Sequence, residues 1–409
     1  MRLAILNQFY KPDLAPTGHL AASLAEHRAL QGDSVTVITS LGGYVPSSRS
    51  AASQDSGNLQ VIRLWTPRLG KERGLFRIID YALFYIQALL RFLVMPAQDV
   101  VISLTTPPFI SWAGLLHKWL HRSTKLVLWN MDCYPEILAR TGVLSEDSLV
   151  YRALRGMNKA LFKHLDYLIC LDDAMCQLLT DNYSSEAFPL HSKVIPNWEP
   201  MAQFSELPSQ GNLPVSFDLN LEGQFVVLYL GNAGFGHSFE TVLEAASMLR
   251  DEPVSFLFVG GGSKWHELGN RKEALQLNKL HLRPYVPKER TPEVMVLADC
   301  ALITLNESAL GVISPSKLHS NLAMGLPIIY IGPEGGNVDQ AIKSFNCGVS
   351  LRHGEVRKLV DFIQTVRRDE DTSKDYRRRA RQAFETSFND RVCLPEFDEI
   401  IDFLGPDKG

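Results

Sequence analysis

Residues 225–246 read FVVLYLGNAGFGHSFETVLEAA, in which an apolar run, a loop with three glycines and a helical pattern follow one another directly. A strand that passes through a short loop into a helix is the repeating unit of parallel α/β sheets. The chain opens in the same way, because the apolar residues 3–6 precede a loop and a helical pattern over about 17–31. The two halves therefore predict the same architecture.

Apolar runs and helical patterns alternate through both halves. In the first half the predicted strands are 3–6, 34–39, 100–103, 125–129, 167–171 and 194–195, and the predicted helices cover about 17–31, 75–95, 109–121, 147–165 and 173–182. In the second half the predicted strands are 225–230 and, approximately, 254–259, 283–286, 300–305, 327–331 and 348–351. This α/β alternation predicts two Rossmann-like, doubly wound parallel sheets, each covered by helices on both faces.

The 409 residues are enough for two domains, and the stretch 196–222 separates them because it is rich in Pro, Asn, Ser and Gly and has no period. We expect an N-terminal domain over 1–200, a linker over 201–222 and a C-terminal domain over 223–388. The final helical segment, 389–409, could pack back on the N-terminal domain. Two such domains facing a cleft would bind ligands beyond the carboxyl ends of their strands.

Composition excludes several classes of protein. The formal net charge is −4 and 21% of residues are charged, so neither a globally basic nucleic-acid binder nor a disordered acidic chain is expected. The six cysteines form no CxxC pair and show no zinc spacing, which disfavours a disulfide scaffold and a structural zinc site and favours a reducing compartment. Residues 61–125 depart from this balance, since they hold nine Lys or Arg against three Asp or Glu.

That basic stretch contains LFRIIDYALFYIQALLRFLVM (75–95), which comes closest to a membrane-spanning run but is interrupted by four polar residues. The pattern fits an interfacial helix lying on anionic lipid, and it also fits a buried core helix with one solvent-exposed edge. A second aromatic and basic pattern, FISWAGLLHKWLHR (109–122), favours the membrane.

Two loops of the second half are suited to bind an anion. The glycine loop (residues 231–237) allows close backbone approach, and its spacing GxxGxG differs from the dinucleotide fingerprint GxGxxG, which disfavours a nicotinamide enzyme. In ALGVISPSKLHSNLAMGLPIIYIGPEGGNVDQAI (309–342), Ser314 is predicted as a helix N-cap and Pro315 as the first helical residue. Lys317 in the first turn would oppose the helix dipole unless an anion binds nearby. These features predict a diphosphate cradle; the alternatives are a plain tight turn and a capped helix with a solvated lysine.

The segment SPSKLHSNLAMGLPIIYIG (314–332) resembles the signature of retaining glycosyltransferases of family 4, which have the GT-B fold. It is most similar to the branch that acts on lipid-linked sugars in surface-polysaccharide assembly. Four further segments resemble that branch in the same order: NQFYKPDLAPTGHL (7–20), WNMDCYPE (129–136), VIPNWEP (194–200) and YLGNAGFGHSFETVLEAA (229–246). The resemblance implies a retaining, hexosyl-type transferase that uses a nucleotide-diphosphate sugar as co-substrate and needs neither metal nor other cofactor.

The resemblance also implies donor-binding residues. Lys317 matches the lysine of the PSK motif, Asn232 stands where most relatives carry a diphosphate-binding arginine, and His237 lies near a usual lysine. Two family glutamates, eight residues apart, are replaced by Val312 and Ser320, so Glu307 is the candidate contact for the donor sugar. The full set of predicted donor residues is Gly231, Asn232, His237, Tyr285, Val286, Gly311, Val312, Ile313, Ser316, Lys317 and Ser320.

On the N-terminal side, the loop 11–19 is expected to border the acceptor. Asp132 follows a predicted strand and could accept a proton from an acceptor hydroxyl, or it could cap a helix that starts at Cys133. The predicted catalytic residues are Asp132, Lys317 and Glu307, and the predicted acceptor-side residues are Pro16, Thr17, Gly18, His19 and Glu136.

The resemblance implies transfer of a sugar, with retention, to a lipid-linked saccharide acceptor in cell-surface polysaccharide biosynthesis. A non-catalytic nucleotide-sugar-binding protein and a nucleotide-sugar epimerase of the same fold are the alternatives. The expected partners are a nucleotide sugar, the acceptor and a membrane surface contacted through 61–125, without nucleic acid. The expected location is cytoplasmic, peripheral on the inner face of the cytoplasmic membrane.

Overall fold

A computed structural model of the chain describes residues 1–13, 15–41, 57–66, 74–205, 219, 221–287 and 290–406. The chain divides into two compact units: Met1–Pro196 with Cys393–Gly409 form unit 1, and Asn197–Val392 form unit 2. Most of the predicted linker (201–222) lies outside the described residues, and so do residues 67–73 of the basic stretch.

Unit 1 contains a seven-stranded sheet in which all strands are parallel, with the order β3-β2-β1-β4-β5-β6-β7. The sequence did not predict β3, and β7 lies two residues earlier than predicted. The strands are β1 (Arg2–Leu6), β2 (Ser34–Ser40), β3 (Leu59–Leu64), β4 (Val100–Leu104), β5 (Lys125–Trp129), β6 (Tyr167–Cys170) and β7 (Ser192–Val194). The helices are α1 (Pro16–Leu30), α2 (Gly74–Val94), α3 (Ser111–Leu120), α4 (Glu136–Arg140), α5 (Leu149–Phe162) and α6 (Asp173–Tyr183).

Unit 2 contains a six-stranded parallel sheet with the order β10-β9-β8-β11-β12-β13. The strands are β8 (Phe225–Asn232), β9 (Val254–Gly261), β10 (Leu280–Arg283), β11 (Cys300–Thr304), β12 (Ile328–Ile331) and β13 (Gly348–Leu351). The helices are α7 (Glu240–Met248), α8 (Trp265–Ala274), α9 (Thr291–Met295), α10 (Lys317–Ala323), α11 (Asn337–Phe345), α12 (Val356–Arg368) and α13 (Glu370–Ser387). The final helix, α14 (Asp390–Leu404), belongs to unit 2 only up to Val392. The prediction of two doubly wound parallel sheets is confirmed.

Strand β8 shows why the second sheet is buried on both faces. Its side chains alternate in direction, as the pleat of a strand requires. Val226 and Leu228 belong to one hydrophobic core, whereas Val227 and Tyr229 belong to a second core on the other face of the sheet. A continuous apolar run is therefore the expected pattern for this strand.

The last part of α14 belongs to unit 1, from Cys393 onward. The ring of Phe397 packs against Trp129 of β5, with a centroid distance of 4.6 Å. Arg28 of α1, only 2% exposed, pairs with Asp33 and with two carboxylates of α14, those of Asp398 and Asp402. The segment predicted over 389–409 thus contributes core and ion-pair contacts to unit 1.

Helix α2 has two apolar faces. Phe84, Ala88 and Phe92 are completely buried, while Leu90 is 56% and Val94 74% exposed. The interpretation as a core helix with one exposed edge is confirmed, because one face belongs to the core and the other is exposed within the described residues. Contact of the exposed face with lipid stays a prediction. Among the helices of the described ranges, none combines the length and apolar character needed to cross a bilayer.

Candidate functional site

The glycine loop of unit 2 follows β8 and meets the start of α10. The structure corrects the predicted helix start, since α10 begins at Lys317 with Ser316 at the N-cap position and no side-chain cap. Ser314 and Pro315 precede the helix, because its first regular turn forms two residues later than predicted. The result still places Lys317 in the first helical turn, beside the glycine loop.

Lys317 extends across the glycine loop and is held there by three contacts. Its Nζ lies 3.3 Å from the carbonyl oxygen of Asn232 and 3.2 Å from Nε2 of His237. The same ammonium lies over the ring of Tyr229, 4.8 Å from the centroid. Burial lowers the pKa of Lys317 to about 7, because an ammonium removed from water loses its hydration. Tyr229 could not be recognised from the sequence as a partner of Lys317, since it lies within an apolar run that is typical of a core strand.

His237 lies between Lys317 and the end of β11. Its Nδ1 is 2.7 Å from the carbonyl oxygen of Thr304 and 3.1 Å from the Thr304 hydroxyl. Burial and the nearby Lys317 ammonium together lower the pKa of His237 to about 3, so the ring is neutral at physiological pH. His237 does not supply the positive charge that a lysine would supply there.

Gly231 is required by the path of Lys317. A Cβ at this position would lie 2.9 Å from Cε of Lys317, and the φ of +125° is one that side chains rarely adopt. The sequence interpretation assigns the glycine to close approach of an anion, which stays a prediction. The structure adds close approach of the Lys317 side chain. Asn232 follows with its main-chain oxygen accepting from Lys317 and from the hydroxyl of Tyr229 (2.8 Å).

Tyr285 lies near the same loop, beyond the end of β10. The predicted strand 283–286 is wrong by three residues, because Pro284 cannot donate to a strand ladder and β10 ends at Arg283. The ring of Tyr285 is 59% exposed and lies against Gly261, where a Cβ would come within 2.9 Å of it. Its hydroxyl is 3.4 Å from Oδ1 of Asn232. Val286 beside it is half-buried.

The remaining predicted donor residues differ in exposure. Val312 is completely buried, so its side chain belongs to the core rather than to a ligand surface. Gly311 is buried, Ile313 is half-buried and Ser316 is exposed. The hydroxyl of Ser320 is half-buried and donates to the carbonyl of Lys317 at 3.4 Å.

Glu307 is exposed and starts the short 3₁₀ helix Glu307–Ala309. It lines a pocket of about 470 Å³ together with Asn306, Glu240, Glu244 and other residues of α7 and the β13 loop. A hydrogen bond links the segment before this 3₁₀ helix to the glycine loop, since the side-chain amide of Asn306 donates to the carbonyl of Phe235 at 2.6 Å.

In unit 1, Asp132 follows β5 and is half-buried. Burial raises its pKa to about 6. The capping alternative for Asp132 is wrong, because α4 starts at Glu136 with Pro135 at the N-cap position. The main-chain N–H groups of Met131 and Asp132 donate to the hydroxyl of Thr105, at 3.1 and 3.2 Å, which fixes the turn that carries the carboxylate.

The predicted acceptor-side residues fall into two groups. Glu136 is only 5% exposed, and its Oε1 accepts from the hydroxyl of Tyr183 and the amide of Asn182 (3.4 Å), so it belongs to a buried cluster. Burial raises its pKa. The start of α1 holds the others: Pro16 is exposed, and Thr17 and His19 are half-buried. Gly18 is buried, and a Cβ there would lie in tight contact with Tyr10 N, at 3.1 Å.

A metal ion has no evident site in the part of the chain that the structure describes, where no three His, Cys, Asp or Glu side chains come together as ligands.

The chain is similar to known glycosyltransferases. Residues 215–383 match the family model for glycosyl transferases group 1. The chain is 27% identical over 310 residues to a probable glycosyltransferase, WbjE, of Pseudomonas aeruginosa, which covers 73% of this chain and 74% of that protein. It is 24% identical over 343 residues to WcaI of Escherichia coli, a putative colanic acid biosynthesis glycosyl transferase. This alignment covers 80% of this chain and 82% of WcaI.

Two solved structures are similar over nearly the whole chain. Sucrose-phosphate synthase from Thermosynechococcus elongatus superposes with a TM-score of 0.74 at 13% identity and covers 99% of each chain. WaaG, a glycosyltransferase involved in lipopolysaccharide biosynthesis, gives 0.65 at 18% identity and covers 100% of each. The chain has the GT-B fold, as the sequence predicted.

Proposed function

We propose that this chain, whose group 1 domain and relatives indicate a GT-B glycosyltransferase, transfers a hexosyl-type sugar from a nucleotide-diphosphate sugar with retention. The acceptor is a lipid-linked saccharide in cell-surface polysaccharide biosynthesis. The observation that supports this proposal most directly is the position of Lys317, held at the start of α10 against the glycine loop. An ammonium at the start of a helix is suited to bind a phosphate.

The donor diphosphate would bind at the glycine loop, beside Lys317 and the start of α10. When the bond between the sugar and the diphosphate breaks, negative charge develops on the leaving phosphate. A fixed ammonium and fixed amides stabilise that charge more than they stabilise the ground state, which lowers the barrier. The exposed ring of Tyr285 is suited to stack on the nucleotide base, with Val286 beside it.

Asp132 is the proposed base for the acceptor hydroxyl. With a pKa of about 6, it is mostly ionised at pH 7 and yet more basic than an ordinary aspartate. Pro16, Thr17, Gly18 and His19 would border the acceptor. Glu136 would support this region from the buried cluster rather than contact the acceptor.

The replacement of both family glutamates leaves the donor sugar without its usual carboxylate. Val312 is buried, and the hydroxyl of Ser320 already has a main-chain partner. Glu307 is the proposed substitute, because it is an exposed carboxylate in a polar pocket that is fastened to the glycine loop through Asn306.

A membrane surface is the proposed location of the acceptor. The apolar stripe of α2, defined by Ile79, Ile86, Leu90, Leu93 and Val94, is exposed and follows one side of the helix. Helix α3 packs against α2 through a contact between His117 and the carbonyl of Phe92 (2.9 Å), and it exposes Trp119 and Leu120. Apolar and aromatic side chains with basic neighbours are typical of a surface that inserts into anionic lipid on the cytoplasmic face.

Transfer is tested with membrane extract as the acceptor source and a panel of nucleotide sugars. We expect one donor to be turned over by the wild type, with retention of the anomeric configuration by NMR and without loss of activity in EDTA. Lys317→Ala should lower turnover at least tenfold, whereas Lys374→Ala, at an exposed lysine of α13, should leave it unchanged. Nucleotide binding without any transfer would favour the non-catalytic binding protein, and conversion of the donor to its epimer would favour the epimerase.

Membrane binding is tested by flotation with vesicles that contain anionic lipid, at low salt. The wild type should float, and a variant with Ile86→Ser and Leu90→Ser should not. Met248→Ser changes an equally exposed apolar residue on α7 of unit 2 and serves as the matched control. A wild type that remains at the bottom of the gradient would refute the docking proposal and leave the donor site unaffected.

A further inference from the structure

The two ring nitrogens of His237 have different roles in the structure. Nδ1 is 2.7 Å from the carbonyl oxygen of Thr304. Because a carbonyl can only accept, the proton of a neutral ring is on Nδ1, and Nε2 presents a lone pair. That lone pair faces Nζ of Lys317 at 3.2 Å.

A charged ring does not fit this position. A protonated imidazole has a donor on each nitrogen, so an N–H of His237 would point at the N–H groups of Lys317. Two positive charges would also lie about 3 Å apart in a half-buried site, with little water to screen them. The low pKa of His237 agrees with a neutral ring.

The ring of His237 is itself held firmly. Its centroid is 5.7 Å from that of Tyr229 in an edge-on arrangement, and 6.2 Å from that of Phe239 in a stacked one. Tyr229 and Phe239 are buried core residues. Rotation of the imidazole would break the contact with Thr304, so the lone pair stays directed at Lys317.

Lysine side chains have four rotatable bonds and lose considerable entropy when they are ordered. The contacts with Asn232 and His237 take two of the three N–H donors of Lys317 and restrict its movement in advance. Among the described residues, no further hydrogen bond of the ammonium is formed, so the third donor is available to a ligand.

We propose that His237 is a positioning residue: its neutral Nε2 accepts from Lys317 and holds the ammonium over the glycine loop before the donor phosphate binds. Thr304 takes part by fixing the tautomer. This inference rests on the proposed function and changes one of its predicted contacts, because His237 acts through Lys317 and does not itself bind the phosphate.

The test is a double-mutant cycle on the full chain, with calorimetric titration of UDP, GDP and ADP to find the strongest binder. His237→Leu removes the acceptor and should weaken nucleoside diphosphate binding about tenfold, as the loss of a hydrogen bond to a charged group does. His237→Gln keeps an acceptor and should restore most of the affinity. In a Lys317→Met background, His237→Leu should have no further effect.

Two results would overturn the inference. If His237→Leu weakens binding equally in the Lys317→Met background, the imidazole binds the phosphate itself. If His237→Leu binds as tightly as the wild type, the imidazole does not position Lys317.

A measurement without nucleotide separates this inference from the proposed function. In ¹⁵N NMR of histidine-labelled wild type, His237 should stay neutral with its proton on Nδ1 from pH 5 to 8. A proton on Nε2, or a charged ring at pH 6, would refute the positioning role even if UDP binds. Conversely, failure of all three nucleotides to bind would refute the donor site, whereas the NMR result would still decide the arrangement of the two side chains.

Discussion

Nucleotide affinity should depend on pH through Lys317. The pKa of this lysine in the empty site is about 7, and its phosphate-binding form is the ammonium. A bound phosphate stabilises the ammonium, so the pKa in the complex is higher. Raising the pH through 7 must therefore weaken binding, because an increasing share of the free protein has lost the proton that the complex needs.

The size of the effect follows from the ionised fraction. With a pKa of about 7, roughly half of the free protein carries the ammonium at pH 7 and about 3% carries it at pH 8.5. Affinity should fall about 16-fold over that interval, which corresponds to about 1.6 kcal/mol. His237, which contacts Lys317 through Nε2, stays neutral throughout because its pKa is about 3. The phenol of Tyr229, which lies under the ammonium, also stays neutral because burial raises its pKa.

The assay is calorimetric titration of a nucleoside diphosphate at pH 7, 7.5, 8 and 8.5, where the terminal phosphate is already largely ionised. Lys317→Arg is the matched control, since a guanidinium keeps its charge over this range and should give a nearly constant affinity. An affinity of the wild type that is constant from pH 7 to 8.5 would refute the reasoning. A slope that persists unchanged in Lys317→Arg would refute it equally, because another group would then be titrating.

Three further changes have defined outcomes. Gly231→Ala should weaken nucleotide binding about tenfold in calorimetry, because the new Cβ displaces Lys317 and the residue is strained at its positive φ. Arg28→Met should lower the free energy of unfolding in urea by about 1.5–3 kcal/mol, because it removes a buried guanidinium that binds three carboxylates of unit 1, two of which keep other partners. As the pH is lowered from about 6.5 to 4, the free energy of unfolding should also fall by about 1.4 kcal/mol per pH unit for each buried neutral histidine. The reason is that the unfolded chain binds a proton at this histidine and the folded chain does not. His319, whose pKa burial lowers to about 4, is one such group, and His319→Gln should reduce that slope.

Matched variants separate these effects from general damage. Gly156→Ala places a Cβ in open space on α5 and should leave nucleotide binding unchanged. Arg378→Met removes an exposed ion pair of α13 and should cost less than about 1 kcal/mol. Equal losses in the test and control variants would contradict the structural reasons given for the first two changes.

The strands that the sequence predicted best are those with the least ambiguous pattern. Strands such as β8, β11 and β12 are continuous apolar runs buried on both faces, and such runs have few alternative structures. Strand β3, LQVIRL, lies at the edge of its sheet and contains Gln60 and Arg63, so it does not stand out from a loop. The predicted position of β10 was three residues too late, because Tyr285 and Val286 are more apolar than His281 and Arg283. The strand nevertheless ends before Pro284, which cannot donate to the ladder.

Some features of the candidate site could be predicted from local sequence, and others depend on residues that are distant along the chain. The position of Lys317 near a glycine loop was predictable, since both follow strands of one parallel sheet and their carboxyl ends lie along one edge. The role of His237 was not, because it depends on a carbonyl at Thr304, 67 residues away, which selects the tautomer. The exposure of Glu307 and the burial of Val312 and Glu136 likewise depend on packing that spacing does not encode.

The charge of the donor site also differs from what residue types suggest. Asn232 brings no charge, His237 is neutral, and the charge of Lys317 is half lost near pH 7 because burial opposes it. Partial loss of the Lys317 proton therefore avoids much of the free-energy cost of a buried cation in the empty site. An anion that binds beside Lys317 would favour the protonated form again. Ligands without a phosphate offer no such compensation, so we expect the proposed donor site to bind phosphates more tightly than neutral sugars.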